Sequence, residues 1–198
     1  MAEDSKNIAV AYGDESVRMV GDPPFYMLGA SLLGADSVPE LERIFASVPG
    51  EARKLHWRQL SRRKQRDSLR ALEGIERTDI VVVAAPLSGR KQERARRKCF
   101  EALLPTLERR GVERLVLESR RPGSDRLDLD YVAFAKGSHL VESIRVEHEY
   151  GADQPKLWVA DQVLGAMGDY LTRTGEWRYW EAEWKAVAGS IERIDVGL

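Results

Sequence analysis

One cysteine, Cys99, occurs in 198 residues, so an intrachain disulfide and any zinc site built on cysteine pairs are excluded. Histidine is nearly as scarce: His56, His139 and His148 are scattered without metal-ligand spacing. No apolar run approaches the ~20 residues that a membrane-spanning helix needs, so no membrane partner is expected. The opening Met1-Ala2-Glu3-Asp4-Ser5-Lys6 is polar and acidic and lacks a secretory signal's apolar stretch, which makes the cytoplasm the expected compartment. Net charge is lacking too, because 31 Lys and Arg face 32 Asp and Glu. Any electrostatic attraction to nucleic acid must therefore come from local patches. A glycine-rich phosphate loop, a Gly-x-Ser-x-Gly elbow and a His-Glu-x-x-His helix are all missing, and the enzyme classes built on them drop out.

What remains is an ordinary folded composition, 43% hydrophobic and 32% charged, without a linker, repeat or low-complexity segment. A single domain over 1–198 is expected. The run from 7 to 13 reads as a strand, and Gly21-Asp22-Pro23-Pro24 as the turn that pairs it with a second strand, Phe25 to Leu33. Helices are expected over Pro39 to Ala46, from Ser61 to about Leu72, and from about Arg90 to Arg110. Pro105 predicts a kink or break in the last of these. Strands are expected at Ile80 to Ala85, Leu115 to Ser119 and Ile144 to His148. The segment from Arg120 to about Asp130 reads as a loop, with Tyr131 to Ala135 beginning a helix. Two more helices follow, Pro155 to about Thr172 and a Trp-rich one over about 176–188. The expected architecture is α/β, with a mixed sheet whose three-strand antiparallel start is flanked by helices.

Three carboxylate positions stand at the end or edge of apolar segments. Asp14 and Glu15 close Ile8-Ala9-Val10-Ala11-Tyr12, Glu118 ends Leu115-Val116-Leu117, and Asp161 sits inside Leu157 to Ala166. Desolvating an acid is costly unless something compensates it. Acids that meet repel one another, and a divalent cation is the usual remedy. Each also has a plain alternative: a strand end turning into a loop for Asp14, an arginine salt bridge for Glu118 or Asp161. Gly165, Ala166 and Gly168 weaken an isolated helix and make sense where the Asp161 helix packs very close to a sheet. Asp128 is a candidate fourth ligand in the expected loop. His56, in Leu55-His56-Trp57, is a packing residue or a group near the pocket. Cys99, among Arg96, Arg97, Lys98 and Phe100, reads as a buried inert thiol. The basic runs Arg62-Arg63-Lys64-Gln65-Arg66 and Arg90 to Lys98 are solvated helix faces or phosphate contacts. Trp177, Trp180 and Trp184 share one helical stripe, for core packing or a homodimer contact.

Asp14-Glu15-Ser16, Met27-Leu28-Gly29-Ala30, Leu55-His56, and Leu157 with Ala160-Asp161 and Gly165-Ala166 together resemble the bacterial domain-of-unknown-function family 3800. The resemblance spans most of the chain through short motifs. It implies an RNase H-like fold and a Mg2+- or Mn2+-dependent nuclease that hydrolyses phosphodiester bonds in nucleic acid. Carried over, Asp14, Glu118 and Asp161 are the metal ligands and catalytic acids, with Glu15 as a supplement and His56 beside the pocket. The chain departs from the family in having Val17 where glycine is common and Glu118 where aspartate is usual. A non-catalytic RNase H-like module binding nucleic acid or a protein is the alternative, and an enzyme acting on a smaller phosphorylated substrate a third.

Overall fold

The hairpin expected around Gly21-Asp22-Pro23-Pro24 forms and organises the sheet. In a computed structural model, which describes residues 9–34, 39, 41, 43, 56–89 and 91–198, β1 (Val10–Arg18) pairs antiparallel with β2 (Phe25–Leu33). Gly21 takes φ 122° in the turn, a conformation that side-chain-bearing residues rarely adopt. β3 (Arg77–Ala85) continues the antiparallel series on β2. On the other side of β1, β4 (Arg114–Glu118) and β5 (Arg145–Glu149) add in parallel, and β6 (Ile191–Gly197) lies parallel to β3. The order is β5-β4-β1-β2-β3-β6, one mixed sheet of six strands.

Helices cover both faces. Five lie among the described residues: α1 (Arg62–Glu73), α2 (Gln92–Arg109), α3 (Pro122–Gly137), α4 (Leu157–Thr172) and α5 (Glu181–Ala188). Strand alternation sends Tyr26, Leu28, Ile80 and Val82 to one face, where they pack with Phe100, Leu103 and Leu107 of α2 and Tyr131 of α3. It sends Met27, Val81 and Val83 to the other, against Leu69 of α1, Val163 and Leu164 of α4 and Trp184 of α5. A half-polar strand start would not be expected to bury charge, yet Arg77 and Asp79 are both buried. They satisfy each other at 2.9 Å, and Ser31 donates to Asp79 at 2.6 Å.

Several expectations change. The helix expected at Pro39 to Ala46 falls mostly outside the described residues. α2 runs through Pro105 without a break, since one missing amide is flanked by a fully buried apolar stripe, Leu103, Leu104 and Leu107. The expected loop from Arg120 to Asp130 is the first half of α3. Its signal was Pro122 in the first turn with Asp125 nearby, and its Arg, Gly and Asp content hid it. The Trp-rich segment is a 3-10 turn, Trp177–Tyr179, followed by the shorter α5. β6 had a period-two signal in Ile194, Val196 and Leu198, which pack on the α2 face. No helix of the described residues is long and apolar enough to cross a membrane.

Candidate active site

β1 extends to Arg18, so Asp14 and Glu15 stand inside the strand and not at its end. Pairing with β4, however, stops at Gly13 opposite Leu117. Beyond that point β1 continues only as a hairpin with β2, with Asp14 opposite Gly29. Asp14 and Glu118 are therefore the next residues on two adjacent parallel strands, just where they cease to pair. Alternation fixes their face. Leu115 and Leu117 point toward α2, whereas Tyr12 and Val116 pack with Leu157 of α4. Asp14 and Glu118, two residues after Tyr12 and Val116, share the α4 face. Asp161 lies one turn after Leu157 on that same helix side. All three expected acids thus lie toward the α4 face, although only Asp161 lines the cavity there and they do not close into a trio of ligand atoms within 4.8 Å as another set among the described residues does.

Two glycines of α4 set its approach to the sheet. A Cβ at Gly165 would stand 2.5 Å from the Cβ of Trp57, and one at Gly168 would stand 2.5 Å from Nη2 of Arg18. The Trp57 ring, 1% exposed, fills the first notch and the Arg18 guanidinium the second. On β2, a Cβ at Gly29 would meet Leu164 at 2.9 Å, so that position too is kept small for the helix. The small residues therefore serve two visitors as well as close packing. Trp57 is tied at three points. Its amide donates to Oδ2 of Asp161 at 2.8 Å, its indole donates to Oδ2 of Asp169 at 2.8 Å, and its carbonyl accepts from Gln65 at 3.2 Å. Arg18 donates to the Gly165 carbonyl at 2.9 Å and to Asp169 at 3.2 Å. Burial, the largest influence, outweighs Asp169 and lowers the Arg18 pKa below its usual value.

A cavity of about 370 Å3 opens between the end of β1, the 57–59 turn and α4. Ser16, His56, Arg58 and Asp161 are among its lining residues. His56 is half-buried and immediately precedes Trp57, so the Trp57–Asp161 bond also places His56 at the cavity wall. Arg58 donates to the Val17 carbonyl at 2.9 Å, which holds a positive charge at the rim. Leu55 lies outside the described residues.

Glu15 does not join the acids. The alternation that directs Asp14 toward α4 directs Glu15 toward α2, where its carboxylate accepts from Tyr26 and from Arg96. Arg96 is buried in α2 and also clasps Asp128 through Nε and Nη2, both at 2.7 Å. Asp128 accepts in addition from Arg120 at 3.1 Å and meets His148 Nε2 at 2.9 Å. Burial raises the Asp128 carboxyl, but bonds to His148 and Arg96 outweigh it and lower its pKa. The expected fourth ligand therefore lies on the far side of the sheet in a buried ion network. Asp125, Asp128 and His148 are the set whose ligand atoms lie within 4.8 Å. Two guanidinium groups already bond Asp128, and Asp125 accepts from the Ser119 hydroxyl and the Arg120 amide, so a divalent cation would enter beside like charge. We read this cluster as a structural ion network that pins the residue after Asp14.

Trp180 and Trp184 are buried in the core on the α4 face, and Trp180 meets Trp57 edge-on at 5.2 Å. Of the two roles expected for this stripe, core packing is the one Trp180 and Trp184 take, and Trp177 packs half-buried against the same cluster. Burial pushes the Cys99 thiol up to about 12, in keeping with an inert residue. Compared with protein-family models and with curated proteins, the chain matches none.

Proposed function

We propose that this chain is a divalent-metal-dependent phosphodiester hydrolase of RNase H-like topology, acting on nucleic acid. The observation that carries the reading is that Asp14 and Glu118 follow the last residues at which β1 and β4 pair with each other and lie toward the same α4 face as Asp161. The strand order supports it: within β5-β4-β1-β2-β3, only β2 runs against its neighbours, as the proposed RNase H-like topology requires. The quoted motifs that resemble family 3800 point the same way, although no family model matches the chain. Three carboxylates form a hard, all-oxygen donor set that suits Mg2+ or Mn2+. When bound, such an ion polarises a phosphoryl oxygen and activates water.

The chain's own residues account for the rest. Trp57, seated on Gly165, fixes one oxygen of Asp161 through its amide. The Arg96 network holds Glu15 on the opposite face and so orients β1 at Asp14. Arg58, at the cavity rim, places positive charge where a phosphate would enter. His56 lies on the same wall, within the cavity that Asp161 lines.

Mn2+ titration of the native chain and of Asp161→Asn, read by electron paramagnetic resonance, tests the reading beside a cleavage panel of single strands, duplexes, RNA, hybrids and nucleotides. Metal binding that Asp161→Asn abolishes, with Mn2+-dependent cleavage, is the expected result. Native protein that binds no Mn2+ would refute it. A second reading, a non-catalytic module of the same topology, is favoured by the fact that the three acids do not close to 4.8 Å. That reading expects nucleic-acid or protein binding indifferent to both Mn2+ and Asp161→Asn.

A further inference from the structure

We propose that the Trp177–Tyr179 turn and the arginines stacked on it form a docking surface for single-stranded nucleic acid, which leads a strand toward the acid corner. Its endpoint rests on the hydrolase reading above, whereas the binding step does not depend on it. Arg62 and Arg66 of α1 lie over the Tyr179 ring, 5.0 and 4.7 Å from its centroid. Arg173 lies 4.3 Å from the Tyr170 centroid and 4.3 Å from that of Trp177, and Arg178 lies 5.3 Å from Trp177. Among the described residues, none of these four arginines has a carboxylate partner, although neighbouring cations do. Arg63 pairs with Asp67, Arg70 with Glu183 and Lys185 with Glu181. Asp67, Glu183 and Glu181 are thus taken by other cations, and among the described residues the aromatic-seated arginines have no ion-pair partner.

Such arginines are well prepared for phosphate. A cation over an aromatic face uses its own flat face and leaves its N–H edge, which can grip phosphate oxygens two at a time. Arg173 is held in place by its backbone, in the left-handed region at φ 56° where α4 ends. Nε of Arg66 is buried without a hydrogen-bond partner. Tyr179 remains 38% exposed and can take an unpaired base, which a duplex would keep inside its stack. Glu176, beside Trp177 in the adjoining cavity, is an opposing charge that leaves a gap in the phosphate track.

The surface adjoins the candidate active site through Asp169. A Cβ on Gly175 would stand 3.1 Å from Asp169 Oδ2, and Asp169 is held by Arg18 and Trp57, which line the acid-site cavity. Along α4, Asp161 and Arg173 are about 18 Å apart at the rise of an α-helix. That distance corresponds to about five nucleotides at ~3.4 Å each along a stacked strand.

Fluorescence anisotropy of the full chain in EDTA, with labelled oligo-dT and oligo-U of three to twelve nucleotides and a matched duplex, reads the binding step without cleavage. Affinity should rise with length up to about five nucleotides. Arg173→Ala with Arg178→Ala should weaken binding at least tenfold and reduce the salt slope by about 1.4, at ~0.7 per lost phosphate contact. Arg62→Ala with Arg66→Ala should act in the same direction, and both pairs should melt as the native chain does. Native-like binding by both pairs, or a duplex bound as tightly as the single strand, overturns the docking surface. Cleavage at unchanged KM in both pairs also overturns it. Arginine-dependent binding without any Mn2+-dependent cleavage by the native chain overturns the hydrolase reading alone and supports the surface.

Discussion

Gly165→Ala is the sharpest perturbation of the candidate site, because its consequences are local and can be worked out beforehand. The added methyl would stand 2.5 Å from the Cβ of Trp57, where carbon atoms need about 3.5–4.0 Å, so the side chain must retreat by about 1 Å or more. It has little room to do so. The ring is 1% exposed, meets Trp180 edge-on and donates to Asp169. Overpacking of this kind costs about 1–3 kcal/mol. Losing the Trp57 amide bond to the Asp161 carboxylate adds about 1.5–3 kcal/mol. Alanine's better helix propensity returns about 1 kcal/mol. A net loss of about 3 kcal/mol corresponds, in a chain of this size, to a fall in melting temperature of about 6–12 °C. Gly137→Ala is the control, since its added Cβ meets nothing within 4 Å. It should leave stability unchanged or raise it by up to about 1 kcal/mol. Thermal melts followed by circular dichroism and by tryptophan emission decide the matter. If Gly165→Ala melts with the control, Trp57 does not occupy the notch and the placement of Asp161 loses its support.

Glu108 caps the chain entering β5 and gives a pH signature. Burial disfavours its charge, but the amides of Ser143, Glu142 and Ile144 and the Ser143 hydroxyl outweigh that and hold the carboxyl at about 2, below its ordinary 4.5. A depressed pKa contributes stability above the unfolded value and loses it as pH falls through the folded one. Glu108→Gln should therefore be less stable at neutral pH, with the gap closing between about 4.5 and about 2 in urea titrations; a pH-independent gap contradicts this. Arg96→Ala removes the buried two-pronged pair with Asp128 and the pair with Glu15, leaving Arg120 and His148 on the first and Tyr26 on the second, and should cost about 3 kcal/mol in chemical denaturation. Arg96→Lys should not restore it, because lysine cannot reproduce the two-pronged grip, and full rescue would show that charge alone matters. Cys99, pushed up to about 12 by burial, should react with a disulfide reagent at pH 8 only at the rate of unfolding, and fast labelling of the folded chain would contradict its burial.

Much of the fold could be read locally. The Pro-Pro turn and its flanking apolar runs foretold the hairpin, and Ser61 caps α1 as expected, accepting from the Lys64 amide at 3.4 Å. The elements that escaped were those whose partners are distant in sequence. α3 looks like a loop because Asp128 appears solvated until Arg96 and Arg120 meet it. β6 is short and charged, and becomes a strand by pairing with β3. The glycines of α4 signalled close approach, but nothing local said that Trp57 and Arg18 would be the side chains to fill the gaps.

The sequence by itself determined the acids' identity, their spacing along strand, strand and helix, and the small residues beside Asp161. Tertiary structure alone decided which acids share a face. Asp14 and Glu15 are neighbours in sequence, and strand alternation sends them to opposite sides of the sheet, one toward Asp161 and the other to Arg96. Asp128 likewise left the list of candidate ligands once a buried guanidinium from α2 took both its oxygens. Periodicity places an acid on an element, but only packing between elements determines which charge compensates it.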